Sequence, residues 1–258
     1  MAKQAKDSGT IRTGIGGWVY PPWRETFYPP SVKAADQLAY ASSKLASIEI
    51  NATFYRTQTP ASFAKWRDET PDGFVFSVKA ARGAAQRKDA AEAAPAIERF
   101  LHSGLAELGA KLGPILWQLP PTRKFDAAAM APFLDLLPET LDGLPLRHVI
   151  EARHESFASP EALALLTERR VARAIIDSEK NALVEAITAD FVYLRLQRTE
   201  DAEPAGYAPA ELDRWAHRLR ELSAGGRDVF AYVISGAKHR APAAAMALAD
   251  RIRDRAHT

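Results

Sequence analysis

Two carboxylates on strand-like text are the residues of this chain best suited to acid–base chemistry: Glu49 in "SIEINATFYRT" (47–57) and Glu151 in "RHVIEAR" (147–153). Each alternates with apolar neighbours, Ile48 and Ile50 around Glu49, Ile150 and Ala152 around Glu151. Alternation sends apolar side chains to one face of a strand and polar ones to the other. The same rule turns Ser77 and Lys79 away from Phe74, Phe76 and Val78. It turns Tyr193, Arg195 and Gln197 away from Val192, Leu194 and Leu196. Asn51, Gln118, Arg153 and Asp177 stand at the ends of their own runs and join the polar set. Two carboxylates in unlike surroundings can divide acid and base work. Lys79, Arg153 and Arg195 suit a phosphate or carboxylate, arginine forks doing so bidentately. The catalytic candidates are therefore Glu49, Glu151 and Asp177, with Asp177 orienting or sharing a proton. Asn51, Lys79, Gln118, Arg153 and Arg195 are the substrate-binding candidates. Counted as inward charges, three carboxylates (Glu49, Glu151, Asp177) meet three cations (Lys79, Arg153, Arg195). The competing reading is a buried salt-bridge network, but burying ions is not a cheap way to stabilise a fold.

Around these lie aromatic residues. The stretch "GGWVYPPWRETFYPP" (16–30) holds Trp18, Tyr20, Trp23, Phe27 and Tyr28 among four prolines. Rigid and aromatic, it can wall a pocket and stack a flat or sugar-like ligand. Trp18 and Tyr20 are expected nearest the ligand, and Tyr55 of the first stretch is counted with them. His154, in "RHE" (153–155), stands beside the same end and is a further substrate-contact candidate. Three inward carboxylates could hold Mg²⁺ or Mn²⁺, but the three cations compete. No H-x-H or HExxH spacing is present, so no metal and no cofactor are expected. "GIGG" (14–17) is no dinucleotide fingerprint, and no phosphate-loop, G-x-S-x-G or kinase signature occurs.

The elements that must position these residues recur regularly. Strand-like runs fall at 11–17, 47–52, 74–80, 114–119, 147–153, 171–177, 191–197 and 228–234. Helical text lies at 34–46, 59–70, 95–112, 126–137, 159–170, 208–223 and 241–256. Thr59-Pro60 and Ser159-Pro160 read as an N-cap followed by proline at the first helical position. Eight strands alternating with helices make an α/β protein of the (β/α)₈ TIM-barrel type. Only Ser178 to Asp190 separate the sixth and seventh strands, so the helix there is expected to be reduced or missing. An open doubly wound sheet is the rival. The repeat fills the chain without a linker, which favours one barrel domain over 11–258 after a disordered polar tail at 1–10. In such a barrel the strands' C-terminal ends form the mouth, and the polar candidates sit there.

Bulk properties narrow the partners. Net charge is +2 over 258 residues, too little for non-specific nucleic-acid binding without a local patch. Absence of cysteine removes disulfides, thiolate nucleophiles and cysteine metal sites. No secretory signal or spanning apolar stretch is seen, so the expectation is a cytoplasmic protein without membrane contact.

The segments "GIGGWVYPPWRETFYP", "IEINATFYR", "FVFSVKA", "KLGPILWQLPP", "EARHESF", the lone Asp177, "TADFVYLRLQ" and "LDRWAHRL" come in one order. In that order the chain resembles the YecE-like family, domain of unknown function 72, over about residues 11–250. The resemblance implies a TIM barrel and leaves the reaction open. Two departures stand out. Where the family carries a threonine–histidine pair after the lysine matching Lys79, this chain has "ARGAAQRK". Where the family ends its eighth strand with Tyr-Phe-Asn-Asn-Asp, it has "YVISGAKHRAP", with Ser235, Gly236 and Lys238. The leading expectation is an enzyme of hydrolase, lyase or isomerase type. Its substrate would be a small anionic or sugar-like molecule bearing phosphate or carboxylate. A nucleic-acid-binding or endonuclease-like barrel is the first alternative, and a non-catalytic ligand-binding or scaffold barrel the second.

Overall fold

Runs that alternate on one face and stay apolar on the other pair here as parallel strands. In a computed structural model, which describes residues 8–180 and 182–254, they close into a barrel. Its strands are β1 (Ile11–Gly16), β2 (Ser47–Ile50), β3 (Val75–Lys79), β4 (Leu112–Gln118), β5 (His148–Glu151), β6, β7 (Phe191–Leu196) and β8 (Asp228–Val233). The sixth comes in two pieces, Ala172–Arg173 and Ile175–Asp177. The first piece pairs with β5, Ile150 opposite Arg173, and the second with β7, Leu196 opposite Asp177. With β1 beside β8 and β2, the neighbour list runs full circle. The open doubly wound sheet is thereby set aside.

Helices α1 (Gln37–Lys44), α2 (Pro60–Asp68), α3 (Ala90–Leu101), α4 (Ala127–Asp135), α5 (Pro160–Glu168), α6 (Pro209–Ser223) and α7 (Ala241–Asp254) connect or follow the strands. Thr59 and Ser159 cap α2 and α5 as read, accepting from the amides of Ser62 and Ala162, each at 3.2 Å. The helix expected at 95–112 differs. It starts at Ala90, because Asp89 caps it through the Glu92 amide at 3.2 Å. It stops at Leu101, because Gly104 takes φ +117° and a short 3₁₀ stretch follows at Leu105–Lys111. Between β6 and β7 the described residues contain no helix. Thr188 instead ties this crossover to the barrel, donating to the Val171 carbonyl at 2.7 Å and accepting from the Arg173 amide at 2.8 Å.

Two apolar layers result. Ile48, Ile50, Phe76, Val78, Ile150, Val192 and Leu194 pack outward under the helices. Leu116, Val149, Ala174, Ile176, Phe191, Tyr193, Phe230 and Tyr232 fill the barrel interior. Gly14 lets β1 and β2 meet inside: a Cβ there would lie 2.0 Å from the Ser47 carbonyl oxygen. Of the tail expected at 1–10, residues 1–7 lie outside the described residues. Gly9 and Thr10 are tied down, their amides donating to the Ser223 carbonyl and to Asp228 Oδ1 at 2.9 and 3.0 Å. Among the described residues no helix is long and apolar enough to cross a membrane.

Candidate functional site

Inside the mouth, β2, β5 and β7 each carry a charged side chain at or one residue before their C-terminal end, strand parity turns it inward, and the three meet. Arg195 of β7 is central. Its Nε and Nη2 donate to Oε2 and Oε1 of Glu49 at 3.1 and 2.8 Å, and Nη1 donates to Oε2 of Glu151 at 2.5 Å. Both carboxylates are fully buried. Tyr193, one turn of the pleat below, donates to Glu49 Oε2 at 2.6 Å. Gln118 from β4 and Arg153 after β5 both donate to Glu151 Oε1 at 2.9 Å. Every carboxylate oxygen in this cluster thus has a partner, the condition for keeping ions dry. Burial alone would raise the Glu151 pKa, but Arg195 and Arg153 outweigh it and hold the carboxyl below its ordinary value. Burial likewise works against the Arg195 charge and is overcome by Glu151 and Glu49, which raise its pKa.

Above this floor opens a cavity of about 500 Å³. Trp18, Asn51 and Tyr55 form one side, and Lys79, Gln118, Arg153, Arg195, Gln197, Ser235 and Lys238 contribute the polar groups. Among the described residues, no Asp or Glu lines it. Glu49 and Glu151 act on it only through Arg195, Arg153 and Gln118. Arginine carries five N–H donors, and Arg195 spends three on the carboxylates. Lys79 is the odd cation. It is buried, and no hydrogen bond or ion pair reaches its ammonium among the described residues; Nζ lies over the Phe54 ring, 4.1 Å from the centroid. Desolvation, then the Arg195 charge, push its pKa down to about 8, although Glu49 and Glu151 pull the other way.

Most of the candidates read from the sequence meet here: Glu49 and Glu151 in the floor, Trp18, Asn51, Tyr55, Lys79, Gln118, Arg153 and Arg195 in the wall. Three do not. Asp177 faces outward, because Ile176 is the inward residue of its strand, and it lines a separate cavity with Arg198, Arg214 and Trp215. Its Oδ2 and the Trp215 Nε1 are buried there without a hydrogen-bond partner among the described residues, and burial raises the Asp177 pKa. The adjacent pair Ile175-Ile176 hid the parity, since either could be the buried one. The balance of three against three inward charges therefore does not hold. His154 caps the short turn Glu155–Ala158, accepting from the Ser156 amide at 3.2 Å, and is outside the main cavity's lining. Tyr20 packs on Trp23 with ring centroids 5.3 Å apart and meets the cavity only through Lys238, whose Nζ lies 4.5 Å from its ring centroid. Lys238 and Ser235 were not expected as ligand contacts. They lie in the segment after β8 that departs from the family pattern, and that departure supplies a cation and a hydroxyl to the wall. Among the described residues, no group of three or more His, Asp or Glu side chains is placed to hold a metal ion.

The comparisons agree with the barrel. The family described as protein of unknown function DUF72 matches residues 12–258. The UPF0759 protein YunF of Bacillus subtilis (strain 168) is 30% identical over 122 residues, 43% of this chain and 40% of that protein. The chain thus aligns with less than half the length of that curated relative. The crystal structure of a DUF72 family protein from Thermotoga maritima MSB8 superposes with a TM-score of 0.73 at 23% identity, covering 96% of this chain and 100% of that one. A xylose isomerase domain containing protein from Salmonella typhimurium LT2 shares the fold at a TM-score of 0.55 and 12% identity, covering 100% of both chains. With an ion cluster flooring a cationic cavity at the barrel mouth, the chain belongs to the DUF72 family and has a TIM-type fold.

Proposed function

We propose that this protein is an enzyme acting on a small anionic, sugar-like molecule that bears a phosphate or carboxylate. Proton transfer at a carbon or hydroxyl of that molecule, of isomerase or lyase type, is the reaction assigned to it. One observation carries the reading: among the described residues, Lys79, Arg153, Arg195 and Lys238 line the cavity and no carboxylate does. Arg153 and Arg195 are pre-aimed by their carboxylate partners, so little side-chain entropy is lost when an oxyanion arrives. Trp18 and Tyr55 offer an apolar face for the remainder. Glu49 and Glu151, first read as acid and base, hold Arg195 and Arg153 instead. The reactive role passes to Lys79, whose pKa of about 8 leaves part of it as the neutral amine near neutrality.

Titration calorimetry with glycerol 3-phosphate and inorganic phosphate tests this. The parent should bind, and Arg153→Gln should bind roughly ten- to a hundredfold more weakly, the worth of a charge-assisted hydrogen bond. Equal binding by both, or none by either, would overturn the reading. A DNA or RNA oligonucleotide bound with a steep salt dependence, in place of the small anion, would move the assignment to the nucleic-acid class.

A further inference from the structure

Lys79 does not behave like the other cations of the cavity. Arg153 and Arg195 are held by carboxylates, and Lys238 rests on Tyr20 and Trp23. Lys79 is buried, lines the cavity from the end of β3 and has no hydrogen-bond or ion-pair partner among the described residues. An anion-binding role alone would be filled better by an arginine, whose fork matches an oxyanion and which never gives up its charge. What a desolvated lysine beside another cation offers is a neutral amine, the form that attacks carbonyl carbon. Carbon–hydrogen or carbon–carbon chemistry also needs somewhere to put the developing electron pair. No wall carboxylate can protonate an enolate here, and a protonated imine would serve instead.

Resting on the anion-pocket reading above, we propose that the Lys79 amine forms a Schiff base with the carbonyl carbon of a phosphate- or carboxylate-bearing aldehyde or ketone. The nitrogen lone pair bonds to the carbonyl carbon while the C=O π pair moves to oxygen. Oxygen takes one proton from solvent, and nitrogen gives one up, leaving a neutral carbinolamine. The nitrogen lone pair then closes the C=N bond, the C–O bond breaks, and the hydroxyl leaves as water with a second proton from solvent. The product is an iminium cation, and the Glu49 and Glu151 charges, which already favour the cationic form at this nitrogen, favour it as well. Arg153 and Arg195 take the anionic end, and Trp18 borders the rest.

Borohydride trapping tests this on the full chain. Dihydroxyacetone phosphate plus sodium borohydride should give a stable secondary amine on Lys79, located by peptide mass spectrometry. Glycerol 3-phosphate, which has no carbonyl, should suppress the adduct by competition. Lys79→Arg should abolish it while still binding glycerol 3-phosphate. An adduct absent from Lys79, or spread equally over exposed lysines such as Lys88 and Lys180, overturns the Schiff base. If glycerol 3-phosphate binds the parent in that case, the anion pocket stands without it. If glycerol 3-phosphate fails as well, both fall.

Discussion

Arg195 is the side chain on which the site turns, and its surroundings make the clearest energetic claims. Removing one member of a buried, fully bonded ion cluster leaves the others uncompensated. Glu49→Gln should therefore lose about 3 kcal/mol of unfolding free energy, the low end of that range because Glu151 still holds Arg195. Urea unfolding measures it. Asp177→Asn should show no such loss at neutral pH, since the carboxylate there has an unpartnered oxygen and a raised pKa. Glu151 has a lowered pKa, so its contribution is present above about pH 4.5 and drains away as pH falls below that value. Glu151→Gln should accordingly flatten the acid limb of the stability profile. The sequence made Glu49, Glu151, Lys79 and Arg195 legible because each sits between apolar residues, two isoleucines or two leucines at Glu49 and Arg195, whose burial fixes parity. It did not resolve Asp177, where Ile175 and Ile176 are adjacent, nor the partnering that turns two catalytic-looking carboxylates into supports for arginine.

At the scale of elements, the loop after β8 does what the sequence could not show. Gly236 takes φ +79°, and a Cβ on it would lie 2.4 Å from the Thr199 carbonyl oxygen. That close crossing aims Ser235 and Lys238 at the cavity. Gly236→Ala should lose on the order of 2 kcal/mol of stability from backbone strain and weaken phosphate binding, whereas the cavity-remote Gly73, with open space around its Cα, should bind phosphate unchanged when replaced by alanine. Strand order, helix caps at Thr59 and Ser159, and the reduced or missing helix between β6 and β7, where the described residues contain none, were all readable from spacing and cap chemistry. The start of α3 was not, because proline at 95 imitates a first helical position while the actual cap, Asp89, stands six residues earlier.

For the whole molecule, the net charge of +2 conceals a segregation: two carboxylates lie under the mouth and four cations line it. A ligand that binds only the folded chain raises its melting temperature by mass action. Phosphate should do so, and chloride at equal ionic strength should not. Stability should also rise between pH 8 and 10.5, where the unfolded chain keeps the Lys79 proton and the folded one has released it. The Lys79→Met variant should lack that increment when compared with the parent over the same range.

Lys79 gives up its proton far more readily than an ordinary lysine, near pH 8, poised over a floor of locked carboxylates. Nuclear magnetic resonance of lysine-labelled protein can follow its side chain directly across pH, with and without glycerol 3-phosphate. We expect Lys79 to titrate near pH 8 alone and at a higher pH once the anion is bound. Titration near 10.5 that the anion leaves unchanged would contradict the account.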